Sequence, residues 1–249
     1  MAMDMAMARA QRMKICDIHT HILPGVDDGA QTMEQALQML RNAAASDVEY
    51  LVLTPHCNRQ DRQDTQNLQA VFERLCACSR EIPVKLALGA EVHVTQNLPE
   101  LLQRKAFPTI NDSRYLLTEF PFHWEKLQFL PMLERICDLG YVPVVAHPER
   151  YCAVIEEPET VHSWLELGCH LQLTADSVVG KYGTRVQKCA AYLLKNGLVC
   201  CVASDAHGND SRNNNLLEVQ SYLTLYYSRQ CAKALLWDNP KRIFEDRVF

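Results

Sequence analysis

No run of about eighteen apolar residues occurs in the 249-residue chain, so no helix of membrane-spanning length is expected. No stripe of lysines and arginines appears either. The net charge of −5 argues against nucleic acid or an anionic membrane as the main partner. The eleven cysteines are odd in number and scattered, and neither Cys76-Ala77-Cys78 nor Cys200-Cys201 has the paired CxxC spacing of a zinc knuckle. No secretory signal precedes them, so they read as core thiols of a reducing cytosol, and the chain is expected to be cytoplasmic. None has an arginine six positions downstream (Cys16 leads to Ile22, Cys152 to Pro158, Cys201 to His207), which removes the thiolate route to phosphoester hydrolysis. No Gly-x-Ser-x-Gly elbow or Walker loop is present.

The composition that remains, 48% hydrophobic and 22% charged, is ordinary for a globular enzyme, and the length suits one large domain. Residues 1–12, rich in methionine and without an apolar h-region, are expected to be a disordered N-terminal extension upstream of the natural start. From residue 13 onward β-rich runs alternate with helical ones. Strands are expected at 14–19, 50–54, 85–92, 115–120, 142–146, 170–174 and 198–204. Helices are expected at about 32–46, where Thr32 and Gln35 form a capping box, and at 61–80, 99–105, 124–139, 158–167 and 182–195, with more after 204. Seven strands alternating with helices over short, even links predict a single α/β domain, 13–249, with a mainly parallel sheet closed as a barrel.

The strand exits carry the chemistry. In Asp17-Ile18-His19-Thr20-His21, strand periodicity puts Asp17, His19 and His21 on one face, where two imidazoles can grip one metal ion. The next strands end in His56, Glu91, Glu119 and His147, and the last in Asp205 and His207. Asp28 is available from the first loop. In a parallel barrel all of these lie on one rim, the rim where such barrels keep their active sites. Imidazole with carboxylate and no thiolate suits manganese, iron or zinc. Nine candidate ligands exceed one coordination shell, which implies two or three ions with Glu91 as a bridge. Asp17 is expected to orient an imidazole from behind. Arg150 and Arg212 lie a few residues beyond His147 and His207, and their planar forks match phosphate oxygens. Of the other histidines, His93 follows Glu91 at period two and His123 is a candidate for the substrate mouth, whereas His162 and His170 read as surface or core.

This pattern resembles the PHP (polymerase and histidinol phosphatase) superfamily, and within it the metal-dependent protein-tyrosine phosphatases encoded with bacterial capsule and exopolysaccharide genes. The resemblance rests on Asp17 to His21, Val26-Asp27-Asp28-Gly29, Gly89-Ala90-Glu91 and Asn111-Asp112-Ser113-Arg114-Tyr115. It rests further on His147-Pro148-Glu149-Arg150-Tyr151, Ala203-Ser204-Asp205-Ala206-His207 and Asp238-Asn239-Pro240. It implies a distorted TIM-like (β/α)7 barrel with a three-metal centre, usually of manganese, with iron or zinc as substitutes. By position, His19, His21, Glu91 and Asp205 would hold one ion, Glu91, Glu119 and His147 a second, and Asp28, His56 and His207 a third. Arg150 and Arg212 would bind phosphate, and metal-bound hydroxide would attack phosphorus. Asp205 or His207 would assist the departing phenolate. The implied substrate is phosphotyrosine on a protein, typically a tyrosine autokinase that controls polysaccharide export; the resemblance is compatible with an oligomer.

The alternative is a PHP phosphoesterase acting on a small ester such as histidinol phosphate, because a metal site reads phosphate and not the leaving group. An amidohydrolase also opens with His-x-His, but it needs a strand-end lysine for carbamylation, and no strand end here has one. A scaffold with a relict site would require missing ligands, and none is missing.

Overall fold

Among the described residues every strand pairs in parallel with its neighbours, and every strand is short. The architecture comes from a computed structural model, which describes residues 13–57 and 65–249. The expected extension 1–12 and the start of the helix expected from residue 61 lie outside the described residues. In chain order the elements up to the midpoint are β1 (Ile15–Asp17), α1 (Met33–Ala45), β2 (Val48–Leu53), β3 (His56–Cys57), α2 (Thr65–Cys78), β4 (Lys85–Leu88), β5 (Glu91–His93), α3 (Leu98–Gln103), β6 (Tyr115–Glu119) and α4 (Lys126–Asp138). There follow β7 (Val142–Ala146), α5 (Cys152–Glu156), α6 (Val161–Glu166), β8 (His170–Thr174), α7 (Ala175–Val178), α8 (Thr184–Lys195), β9 (Cys201–Ala203), α9 (Leu217–Tyr226), α10 (Arg229–Lys233) and α11 (Asn239–Phe244).

The strands form two parallel sheets, β1-β2-β4 and β3-β5-β6-β7-β8-β9. The division has a chemical cause. Register runs on from Leu53 opposite Leu88 to His56 opposite Glu91. Across the gap Gly89 N donates to Leu53 O at 2.8 Å and Glu91 N to Pro55 O at 3.0 Å. Pro55 has no N–H to return a rung, so the ladder breaks there. The expected strand 85–92 is thereby divided into β4 and β5; the second expected strand, 50–54, corresponds to β2, and β3 beyond Pro55 is an addition to it. At the far side Asp205 N donates to His19 O at 2.9 Å and His21 N to Ala206 O at 2.8 Å, so the exits of β9 and β1 are joined.

Strands such as Val142–Ala146 are apolar on both faces because helices cover them. The covering faces repeat at helical spacing: Ala36, Met39, Leu40 and Ala43 of α1, Phe129, Met132, Leu133 and Ile136 of α4, and Cys189, Ala190, Leu193 and Leu194 of α8. Thr32 and Gln35 cap α1 reciprocally, as the sequence predicts. Tyr151, fully buried, donates its hydroxyl to Ala146 O at 2.7 Å and accepts from Phe120 N at 3.0 Å. That phenol locks the exits of β6 and β7 together, and those exits present Glu119 and His147. All eleven cysteines are free thiols, six of them buried. Among the described residues no helix is long and apolar enough to cross a membrane.

Candidate metal centre

The strand ends, with the loop that carries Asp28, bring all nine sequence-predicted ligands to one place. At its floor lie His19, His21, Glu91 and Asp205, each at most 1% exposed. His19 Nε2 and His21 Nε2 stand 3.2 Å apart, each 3.3 Å from Glu91 Oε2 and 3.5 Å from Asp205 Oδ1. Four donors bonded to one ion at about 2.1 Å would lie roughly 3.0–3.5 Å from one another. Glu91 Oε2 is buried with no hydrogen bond of proper geometry, although three imidazole nitrogens (those of His19 and His21, and His56 Nδ1 at 2.8 Å) surround it. Nitrogen and oxygen ligand atoms that converge on a common point, one of them a buried carboxylate oxygen without a hydrogen bond of proper geometry, fit a cation.

Two further groups adjoin this one. Glu91 and Glu119 face His56, whose Nδ1 is 2.8 Å from Glu91 and 3.9 Å from Glu119. His147 Nε2 enters the same region, 2.9 Å from Glu91 Oε1 and 3.7 Å from Glu119 Oε1. Nearer solvent, Asp28 Oδ1 lies 3.5 Å from His56 Nε2 and 3.3 Å from His207 Nε2, and His21 closes that group. His207 Nε2 is buried without a hydrogen-bond partner, a second donor aimed at a common point.

Local backbone geometry makes this convergence possible. A Cβ on Gly29 would come within 1.9 Å of His21 O, so only glycine lets the loop carrying Asp27 and Asp28 fold back on His21. His147 (φ 36°) and Asp205 (φ 53°) sit in the left-handed region, where turns directly after β7 and β9 swing their side chains inward.

Two residues that support the ligands were not picked out as such from the sequence. Gln172 Oε1 accepts from His19 Nδ1 at 2.8 Å, and Asp27 Oδ2 holds His21 Nδ1 at 2.8 Å, which leaves each Nε2 free to face the centre. A signal for the first was present: Gln172 is the polar residue in the middle of the apolar strand His170–Thr174. Asp17 does otherwise than expected. It accepts from Ser204 Oγ (2.6 Å), Ser204 N (3.1 Å) and His19 N (3.3 Å), fixing backbone at two ligand-bearing exits and orienting no imidazole.

Electrostatics follow from this crowding. Burial alone would raise the Glu91 and Asp205 pKa values, but the charge of His19 and hydrogen bonds from neighbouring imidazoles hold both well below the usual carboxylate range. Burial likewise works to lower His19 and His21, and Glu91 and Asp205 reverse it, so both are raised. His207 is pushed down to about 4 by burial and by the charge of His21. A carboxyl held low and an imidazole held neutral both suit cation binding.

Both arginines reach the same carboxylate. Arg150 Nη1 is 3.1 Å from Asp205 Oδ2, and Arg212 Nη2 is 3.0 Å from each Asp205 oxygen. His93 Nδ1 contacts Glu119 Oε2 at 3.2 Å, so it touches the centre at its edge. His123 is exposed and pairs with Cys152 Sγ at 3.4 Å.

Fold and donor set together define a class: a parallel α/β protein whose clustered imidazoles and carboxylates could hold metal ions. The pattern of the family described as capsular polysaccharide synthesis, CpsB/CapC, matches residues 15–245, and the chain belongs to that family. Tyrosine-protein phosphatase CpsB of Streptococcus pneumoniae is 33% identical over 93% of this chain and 99% of its own. Tyrosine-protein phosphatase YwqE of Bacillus subtilis (strain 168) is 30% identical over 79% of each. A crystal structure from work on YwqE and CpsB, described as unique metal-dependent tyrosine phosphatases, superposes with a TM-score of 0.84 at 27% identity, covering 94% of this chain and 96% of that one. Dihydropyrimidinase from Brevibacillus agri NCHU1002 shares the fold alone, at 11% identity and a TM-score of 0.61 over 93% of this chain and 70% of its own.

Proposed function

We propose that this chain is a metal-dependent protein-tyrosine phosphatase whose site is the rim of a distorted (β/α)7 barrel. One observation carries the reading: five imidazoles and four carboxylates converge beside two arginines, in a member of a family whose named relatives are tyrosine phosphatases. The unbroken register from β2 into β3 and the hydrogen bonds joining His19 and His21 to the exit of β9 support closure of the barrel.

His19, His21, Glu91 and Asp205 would hold one ion. Glu91 and Glu119 would hold a second with His147, His56 standing close. Asp28, His56 and His207 would hold a third. Manganese suits this mix of imidazole and carboxylate, as do iron and zinc. Bound ions supply a water-derived nucleophile at neutral pH and offset charge on the phosphoryl group. The protein's own groups do the rest. Arg150 and Arg212 exchange part of their contact with Asp205 for phosphoryl oxygens and so orient phosphorus over the cluster. Gln172 and Asp27 hold the two floor imidazoles in the tautomer that turns Nε2 to the centre. Phenolate departs without a dedicated proton donor, since it is a good leaving group.

The substrate protein on this reading is a cytoplasmic tyrosine autokinase that controls polysaccharide export. The small-ester alternative shares the site and differs in what surrounds it. The deciding experiment compares kcat/KM on phosphotyrosine peptides with that on histidinol phosphate, using manganese-loaded protein. Peptides are expected to win; a preference for histidinol phosphate would replace this reading with the alternative.

A further inference from the structure

The Arg150 guanidinium lies against two aromatic rings. Its Cζ is 4.8 Å from the centroid of Phe122 and 5.1 Å from that of Tyr182. Phe122 follows the exit of β6, and its carbonyl accepts from Cys152 N at 2.9 Å, which pins that loop to the one after β7. The Phe122 ring also stacks on the His147 imidazole, with centroids 5.7 Å apart and planes 25° apart, and it meets Tyr151 at 5.8 Å. Tyr182 comes from the turn between α7 and α8. Burial raises its pKa against the pull of Arg212 and Arg150, so it offers a neutral ring.

An arginine fork serves a phosphoryl group only when its plane is held, because the long side chain otherwise samples many rotamers. The Arg150 contact to Asp205 fixes one nitrogen, and a phosphoryl group would compete for that contact. The aromatic contacts act on the guanidinium plane and involve none of its N–H donors in hydrogen bonds, so they persist when phosphate is bound. The Phe122 ring is already engaged by Arg150, His147 and Tyr151, which leaves it poorly suited to stack on a substrate ring.

We propose that Phe122 and Tyr182 are positioning residues that hold the Arg150 guanidinium in the plane a phosphoryl group requires. This rests on the phosphatase reading only in taking Arg150 as a phosphate ligand.

The test uses the full-length, manganese-loaded chain and titrates inorganic phosphate by calorimetry, with metal content and thermal unfolding measured on each variant. Phe122→Leu and Tyr182→Leu are each expected to weaken phosphate binding by roughly five- to tenfold with metal content unchanged. Tyr182→Phe keeps the ring and is expected to bind as the wild type does. In an Arg150→Ala background neither leucine substitution should weaken phosphate further. Unchanged affinity in the single variants, or equal losses with and without Arg150, would overturn the proposal. So would metal lost in step with phosphate, which would make Phe122 a support for His147 alone. Weaker peptide binding with unaltered phosphate binding would instead assign the rings to the substrate's aromatic group. If the wild type binds phosphate but does not hydrolyse phosphotyrosine peptides, the phosphatase reading fails while the phosphate titrations still decide this one.

Discussion

The floor and the mouth of the ligand cluster are built differently. At the floor, His19, His21, Glu91 and Asp205 are sealed from solvent, and both imidazoles are held from behind, by Gln172 and Asp27. At the mouth, the Asp28 side chain is 64% exposed and that of His56 32%. Asp28 arrives on a loop, whereas His19, His21 and Asp205 stand at strand exits joined by the hydrogen bonds between β9 and β1, and Glu91 opens β5. The difference teaches that burial and support from behind, more than ligand type, should grade affinity: floor tight, mouth labile.

Glu91 should show the largest effect, since it faces both the floor and the group with Glu119. Glu91→Gln is expected to lower turnover of a phosphotyrosine peptide by roughly 1,000-fold and to reduce bound metal. Turnover and elemental analysis of the same sample check it; near-normal values in both would deny Glu91 its place at the junction. Gln172→Leu comes next. It removes the acceptor behind His19 without touching a ligand atom, and floor affinity should fall by roughly 10- to 100-fold in chelator competition. Asp28→Asn should do less, about tenfold, and only in the weakest-bound fraction of metal. If Asp28→Asn strips all metal while Gln172→Leu strips none, floor and mouth have been assigned the wrong way round.

The pH dependence sharpens the same contrast. His21 is raised well above 6.5, so a cation entering the floor must displace its proton, and floor affinity should climb as pH rises above 6.5. His207, lowered to about 4, is already neutral there and adds no such dependence. Calorimetry in buffers of different ionisation enthalpy counts the protons released, and zero release on filling the tight site would contradict the shift. In chelated protein the sign for stability is the opposite. A raised His21 contributes fully below pH 6.5, and that contribution is lost as pH rises through its folded value, so the melting temperature should fall on the alkaline side.

Much of this centre was legible in the chain because strand exits are a sequence-readable address. His19, His21, His56, Glu91, Glu119, His147, Asp205 and His207 each lie in or just after a β-rich run, and parallel topology gathers such positions at one end of the sheets. What was not legible came from distant parts of the chain meeting. Gln172 supports His19 from 153 positions away, and only the parallel packing of β8 beside β9 sets it there. The role of Asp17 followed Ser204, 187 positions on, in place of an adjacent imidazole. The break between β2 and β3 was written in Pro55, but its effect on the ladder depends on which strand lies alongside. Phe122 and Tyr182 carry no signal of their own in sequence, since an aromatic residue near a strand exit reads equally as core.

The central claim is that this rim hydrolyses phosphotyrosine through metal ions held by the convergent ligands. The direct test measures metal content and turnover of a phosphotyrosine peptide on one sample: as purified, after EDTA, and after manganese is restored. The account predicts two or three ions per chain, activity lost with them and regained on their return. Turnover that survives complete chelation, or that thiol alkylation abolishes while the metal stays bound, would contradict it.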